Sequence, residues 1–138
     1  DNDLSLPEVK ADRDQLIQVM LNVSVNAIQA MTENKDFFVD HQPELILRTR
    51  IQRLVTINGT LHRSTLRIDI EDNGLGIPED IIESVFYPLV TARASGTGLG
   101  LSIAQNIMHQ HNGMIDCQSV PGKTIFSLYL PWETNHVT

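Results

Sequence analysis

A chain of 138 residues, 41% apolar and 20% charged, has the size and make-up of one globular domain with one core. Its formal net charge of -7 argues against DNA or RNA as the main partner. No apolar run approaches the roughly 18 residues that a bilayer span needs, and nothing at the start reads as a signal peptide, so no membrane association is expected. The single cysteine, Cys117, cannot pair within the chain, which suits a reducing, cytoplasmic setting. The chain opens on Asp1 without a methionine, so residues 1–138 are expected to be one domain cut from a longer protein.

Residues 1–11 read as an entry segment with a short extended piece around Pro7–Lys10. Asp12 is placed to cap a long helix running to about Met31, with Leu16, Val19, Met20, Val23, Ala27 and Ala30 at helical spacing. A loop, Thr32–Pro43, leads to a strand over Glu44–Ile57. Asn58-Gly59 is a hairpin turn signal. The returning strand, Ser64–Glu71, alternates Leu66, Ile68 and Ile70 with Arg67, Asp69 and Glu71. Pro78 suits the first position of a short helix reaching about Phe86, with Glu79 and Asp80 in its positive first turn. Residues Tyr87–Thr97 show neither period and read as a mobile loop. A second long helix is expected from about Leu99 to His111, ended by Asn112-Gly113. Two strands follow, Met114–Ser119 and Thr124–Leu130. The order helix, hairpin, helix, helix, hairpin predicts an α+β domain: a two-layer sandwich with a mixed, mostly antiparallel sheet and three helices on one face.

Four clusters carry chemistry. Asn22 and Asn26, at i and i+4, share a helix face, and Gln15, Gln18 and Gln29 extend that polar stripe. An amide oxygen there suits the octahedral shell of a Mg²⁺ held otherwise by phosphates and water, although a solvated helix face gives the same pattern. Asp72-Asn73-Gly74-Leu75-Gly76-Ile77-Pro78 leaves a strand for a helix, with glycines that allow close backbone approach. A carboxylate at that strand end suits the exocyclic amine of adenine; a plain turn with a helix cap is the simpler reading. Gly96-Thr97-Gly98-Leu99-Gly100-Leu101 opens the second long helix and offers N–H groups and a positive dipole end to a triphosphate. It is not the dinucleotide fingerprint, because Leu101 stands where that pattern needs glycine. Pro121-Gly122-Lys123-Thr124 imitates the end of a P-loop, but Cys117 stands where the first glycine belongs and a strand follows. It reads as a hairpin turn whose Thr124 hydroxyl could line a base pocket.

In order, these clusters resemble the N, G1, G2 and G3 boxes of the histidine-kinase catalytic domain of the GHKL superfamily. Phe86-Tyr87-Pro88 resembles the F box that opens the family's ATP lid. The resemblance spans about residues 9–131 and implies the Bergerat α/β sandwich fold, with ATP and Mg²⁺. It implies that Asn26 is the metal ligand and that Asn22 supports metal and phosphates. It gives Asp72 the adenine amine, has Gly74 and Gly76 shape the base pocket, and counts Ile77 and Phe86 among the nucleotide-binding residues. Gly96, Thr97, Gly98, Leu99 and Gly100 would hold the phosphate end, and Thr124 would reach the base through water. Many members carry Lys or Arg three residues after the second Asn. Here that residue is Gln29, so Arg93 in the lid is expected to supply the missing cation.

Within the family the likeness is greatest to sensor kinases of nitrogen regulation, on Leu47-Arg48-Thr49-Arg50, the long hairpin, Phe86-Tyr87-Pro88-Leu89 and Phe126-Ser127-Leu128-Tyr129-Leu130-Pro131. It implies a phosphoacceptor histidine domain upstream in the same parent protein and an NtrC-like response regulator, with a PII-type nitrogen signal protein as a further partner. Related hydrolases place a Glu four residues before the metal-binding Asn as general base; here Asn22 occupies that position, which favours transfer over hydrolysis. A GHKL-type hydrolase and a non-catalytic nucleotide-binding module are the alternatives. None of His41, His62, His109, His111 and His136 lies in the family's acceptor context.

Overall fold

The computed structural model describes residues 12–86 and 100–131. The Pro7–Lys10 piece, the Tyr87–Thr97 loop and the first glycines of the second glycine-rich cluster lie outside these.

Helix α1 spans Arg13–Glu33. Asp12 caps it as expected: its carboxylate accepts the Gln15 N–H at 3.1 Å and its carbonyl the Leu16 N–H at 3.0 Å. It runs two residues past the expected end, where the Thr32 hydroxyl donates to the Ile28 carbonyl (2.8 Å) and the Asn34 amide to the Ala30 carbonyl (2.7 Å). Both bonds satisfy carbonyls within the last turns. A 3₁₀ turn, Lys35–Phe38, lies in the expected loop.

Strands β1 (Leu45–Ile57) and β2 (Thr60–Asp72) form a 13-residue-per-strand antiparallel hairpin. Asn58 and Gly59 turn it with φ of 51° and 83°, the mirror-image turn that matches strand twist. Because that turn takes only two residues, β2 begins four residues earlier than the side-chain alternation suggested. Helix α2 is a single turn, Glu79–Ile82, shorter than expected. Pro78 is its cap residue, and the Ser84 N–H and hydroxyl both return to the Ile81 carbonyl (2.8 and 3.1 Å), closing the turn tightly.

Helix α3 covers Gly100–Gln110. Asn112 adopts φ 60°, and the Gly113 and Asn112 N–H groups donate to the Met108 and His109 carbonyls (2.8 and 3.0 Å), the paired bonds of a Schellman ending. Strands β3 (Met114–Val120) and β4 (Lys123–Pro131) complete a four-stranded sheet in the order β1-β2-β4-β3, antiparallel at every described pairing.

The helices cover one face of the sheet. Val19 and Val23 of α1 and Ala104, Ile107 and Met108 of α3 pack on Ile68, Ile70, Phe126, Leu128 and Leu130 in one core. The opposite face is only partly open. The chain passes through a left-handed residue at Leu54 (φ 58°), and beyond it Val55 and Ile57 bury with Tyr129. Beside them Arg67 lies 5.3 Å from the Tyr129 ring centroid and donates to Asp69 (2.8 Å) and Gln52 (2.9 Å). Burial alone would raise the Asp69 carboxyl, but hydrogen bonds from Arg67 and Ser127 outweigh it and hold it below the ordinary value.

Candidate functional site

A cavity of about 830 Å³ opens between α1, the segment after β2, the start of α3 and the β3–β4 turn. Its volume is in the range of small-molecule sites. The sequence clusters converge on it: Asn22 and Asn26 from α1, Asp72, Gly74, Gly76 and Ile77 from the end of β2, Gly100 from α3 and Thr124 from β4 all line it. Arg93, Gly96, Thr97, Gly98 and Leu99 lie outside the described residues.

Asp72 ends β2 and is 7% exposed. Its Oδ1 accepts the Gly74 N–H at 2.9 Å, which fixes the carboxylate at the cavity wall. Burial raises its pKa above the ordinary carboxylate value; the Gly74 N–H works against that shift and Glu71 adds to it. Thr124, 3% exposed, stands directly across from Asp72 in the β2–β4 register. The segment between is drawn onto the β3–β4 turn by two hydrogen bonds. The Gly122 N–H donates to the Gly74 carbonyl (2.8 Å), and the Ile77 N–H donates to Ser119 Oγ (2.8 Å). Gly76 takes φ 96°, and a Cβ there would meet the Val120 carbonyl oxygen at 3.0 Å, so only glycine seats this loop without strain.

Asn22 donates through Nδ2 to the Gly100 carbonyl at 3.3 Å, tying α1 to the first turn of α3. Asn26 lies one turn further along the same face. Amide oxygens are hard, neutral ligands, so this wall fits a Mg²⁺ that takes its remaining ligands from phosphate and water. Among the described residues no group of three or more His, Cys, Asp or Glu side chains could hold a metal alone. No lysine or arginine lines the cavity among those residues either. There, the first turn of the 11-residue helix α3 faces the cavity through Gly100 and Leu101, the end of a helix that favours negative charge.

Two expectations shift. Of the glutamines meant to extend the polar stripe, only Gln29 reaches the cavity; Gln15 and Gln18 lie nearer the N-terminus of the helix. Phe86 does not line the cavity. It packs edge-on against Phe126, with centroids 6.1 Å apart, and Phe126 forms the wall. Sequence reasoning also passed over Leu21 and Val25, apolar α1 residues on the cavity side, and Ser119, whose hydroxyl bonds both the Ile77 N–H and the Thr124 hydroxyl (2.6 Å). The signal for Ser119 was its place two residues before the Pro121-Gly122 turn, opposite Thr124.

None of the described histidines lines the cavity. His111 is committed at both ring nitrogens: Nε2 accepts the Asp12 N–H (3.0 Å), and Nδ1 donates to the Ile107 carbonyl (2.8 Å). A carbonyl can only accept and an N–H only donate, so each ring nitrogen has a partner and the ring is pinned between α1 and α3.

The profile of the histidine kinase-, DNA gyrase B- and HSP90-like ATPase family matches residues 11–134. The chain is 49% identical over 131 residues to the sensory histidine kinase/phosphatase NtrB of Escherichia coli O157:H7, covering 95% of this chain and 36% of that protein. It is 41% identical to the protein of the same name from Rhodobacter capsulatus, with the same coverage. The chain thus spans about a third of the length of the relatives it matches. Among solved structures, the catalytic domain of histidine kinase ThkA superposes with a TM-score of 0.68 at 29% identity, over 90% of this chain and 70% of that one. Full-length ShkA in complex with AMPPNP superposes with the same score at 23% identity, over 96% of this chain and 24% of that one, a likeness of fold. The glycine-rich turns, the paired asparagines on α1 and the cavity they enclose therefore belong to a member of the histidine kinase-, DNA gyrase B- and HSP90-like ATPase family.

Proposed function

We propose that this chain binds Mg-ATP in the cavity and passes its γ-phosphoryl group to a histidine on a separate phosphoacceptor domain of the same parent protein. The setting would be a two-component system of nitrogen control, with an NtrC-like response regulator downstream and a PII-type protein as an upstream signal. Identity to the NtrB proteins supports that setting. Asp72 accepts from the adenine amine, Asn26 ligates Mg²⁺, and Asn22 fixes the helix N-terminus that faces the phosphates. Arg93 supplies the cation that Gln29 does not. The chain's task is to hold the γ-phosphorus open to an incoming lone pair. The imidazole nitrogen forms the new P–N bond as the bond to the β,γ-bridging oxygen breaks, and ADP leaves with that electron pair.

The observation that carries this reading is Asn22. The related hydrolases need a carboxylate at that position to activate water, and an amide already donating to Gly100 cannot take a proton. The carboxylates among the described lining residues are Asp72, the last residue of β2, and Glu79, the first of α2, neither of them on α1 or α3. The test is to add γ-labelled ATP and a separately made histidine-bearing helical hairpin of the parent protein. Label on the histidine is the expected result. Rapid phosphate release without it would make the chain a hydrolase, and nucleotide binding with neither would make it a regulatory module.

A further inference from the structure

We propose that Ser119 is a positioning residue that sets which purine the site accepts, acting through the hydroxyl of Thr124; the inference rests on the ATP site proposed above. Ser119 Oγ accepts the Ile77 N–H at 2.8 Å and lies 2.6 Å from Thr124 Oγ1. A serine hydroxyl has one hydrogen to give. Giving it to Thr124 fills both roles of Ser119 at once, and the bond it already accepts strengthens it as a donor. Accepting a second time from Thr124 would leave its own hydrogen to find another partner. With Ser119 as the donor, Thr124 is the acceptor of this bond, and its own hydrogen turns to the cavity that both residues line.

The consequence lies in the pairing across the sheet. Thr124 is the register partner of Asp72 on β2 and of Ser119 on β3. The wall thus presents an acceptor, the Asp72 carboxylate, beside a donor, the Thr124 hydroxyl. Adenine shows the complementary pair on one edge, the N6 amine and the N1 lone pair. A 6-oxopurine shows the reverse, O6 and N1–H, and meets acceptor with acceptor and donor with donor. Without Ser119 the Thr124 hydroxyl would rotate and could offer either a hydrogen or a lone pair.

The test uses the whole chain, ATP and ITP, whose base differs from adenine in having O6 and N1–H. Wild type is expected to prefer ATP. Ser119→Ala should keep its fold, because the Gly122-to-Gly74 bond still ties the loop to the turn. It should lower the ATP-over-ITP preference by about three- to tenfold, the size of one neutral hydrogen bond. Ser119→Thr, which keeps the hydroxyl, should restore it. In a Thr124→Val background, Ser119→Ala should no longer change the preference, because the group it acts through is gone. Equal loss of affinity for both nucleotides, or a persistent effect in the Thr124→Val background, would overturn the inference and reduce Ser119 to a loop tie. A wild-type chain that binds no ATP would instead overturn the reading of the site.

Discussion

Asp72 holds a tension between stability and function. Its folded-state pKa is raised by burial, so the folded chain keeps the proton more tightly than the unfolded one. Stability linked to this group is therefore fully present below the ordinary carboxylate value near pH 4. It is lost as pH rises through the folded value, leaving the ionised group a cost at neutral pH. Asp72→Asn should accordingly melt higher than wild type at pH 7, with the gap narrowing as pH falls towards about 4. ATP affinity should drop roughly ten- to a hundredfold, the loss of a charge-assisted bond. Unchanged ATP affinity in a folded variant would remove Asp72 from the base site. Asn22 invites the opposite experiment. A Glu there restores the position of the hydrolases' general base, so turnover at saturating Mg-ATP should rise from a very low wild-type level, by about a hundredfold where geometry allows. The same change removes the donor to the Gly100 carbonyl and sets a negative charge beside it, so nucleotide binding should weaken. Fast hydrolysis by the unaltered chain would contradict the transferase reading. These two residues were legible from sequence because their chemistry depends on residue type and on fixed spacing along one element. Ser119 was not, because its role comes from a cross-strand partner and from the loop that lands on it.

At the scale of elements, the same dipeptide does two different things. Asn58-Gly59 takes positive φ at both residues and forms a two-residue hairpin, whereas at Asn112-Gly113 only Asn112 is left-handed. Gly113 is needed for room, since a Cβ there would collide with the Tyr129 carbonyl oxygen and would also crowd Met108. Sequence marked both as turns, but what fills the space beside each is set by tertiary packing. Gly113→Ala should therefore cost about 2–4 kcal/mol in urea unfolding, because the obstacle is backbone of a central strand and cannot step aside. Asn112→Gly, which relieves only a left-handed φ, should be neutral or stabilising by up to about 1 kcal/mol. A cost below about 1 kcal/mol for Gly113→Ala would mean that β3 can shift on β4. Helix α1 teaches a related lesson. Its period located Val19, Val23 and Ala27 on the buried face, and Met31 in the last turn buries with them. A second apolar row, Ile17, Leu21, Val25 and Ile28, stays about half exposed, and period alone could not say that Leu21 and Val25 would wall a cavity.

For the molecule as a whole, the cavity is where its two layers meet around a space rather than around each other. Its wall draws on α1 and α3 from the helical layer and on the β2 end and the β3–β4 turn from the sheet. A ligand filling it bonds to both layers, so binding should stabilise the domain as one unit. At a free concentration one hundred times its dissociation constant, a ligand adds about 2.7 kcal/mol, which for a domain of this size raises the midpoint of thermal unfolding by roughly 10 °C. Mg-ATP should produce that shift, and ATP with chelator a smaller one, because the triphosphate charge then loses the metal and is met by Arg93, the α3 N-terminus and backbone N–H groups alone. The difference between the two shifts isolates the metal. In Asn26→Ala the chelator shift should stay close to the wild-type value while the extra shift from Mg²⁺ disappears, since the amide oxygen is lost but Asp72, Thr124 and α3 remain. Hydrogen exchange should agree: added protection in α1, α3 and the β3–β4 turn, and little in the far end of the β1–β2 hairpin around Asn58-Gly59, which does not touch the cavity. An Mg²⁺ increment that survives in Asn26→Ala would take this residue out of the metal's coordination, and protection confined to one layer would mean that the nucleotide does not bridge the two.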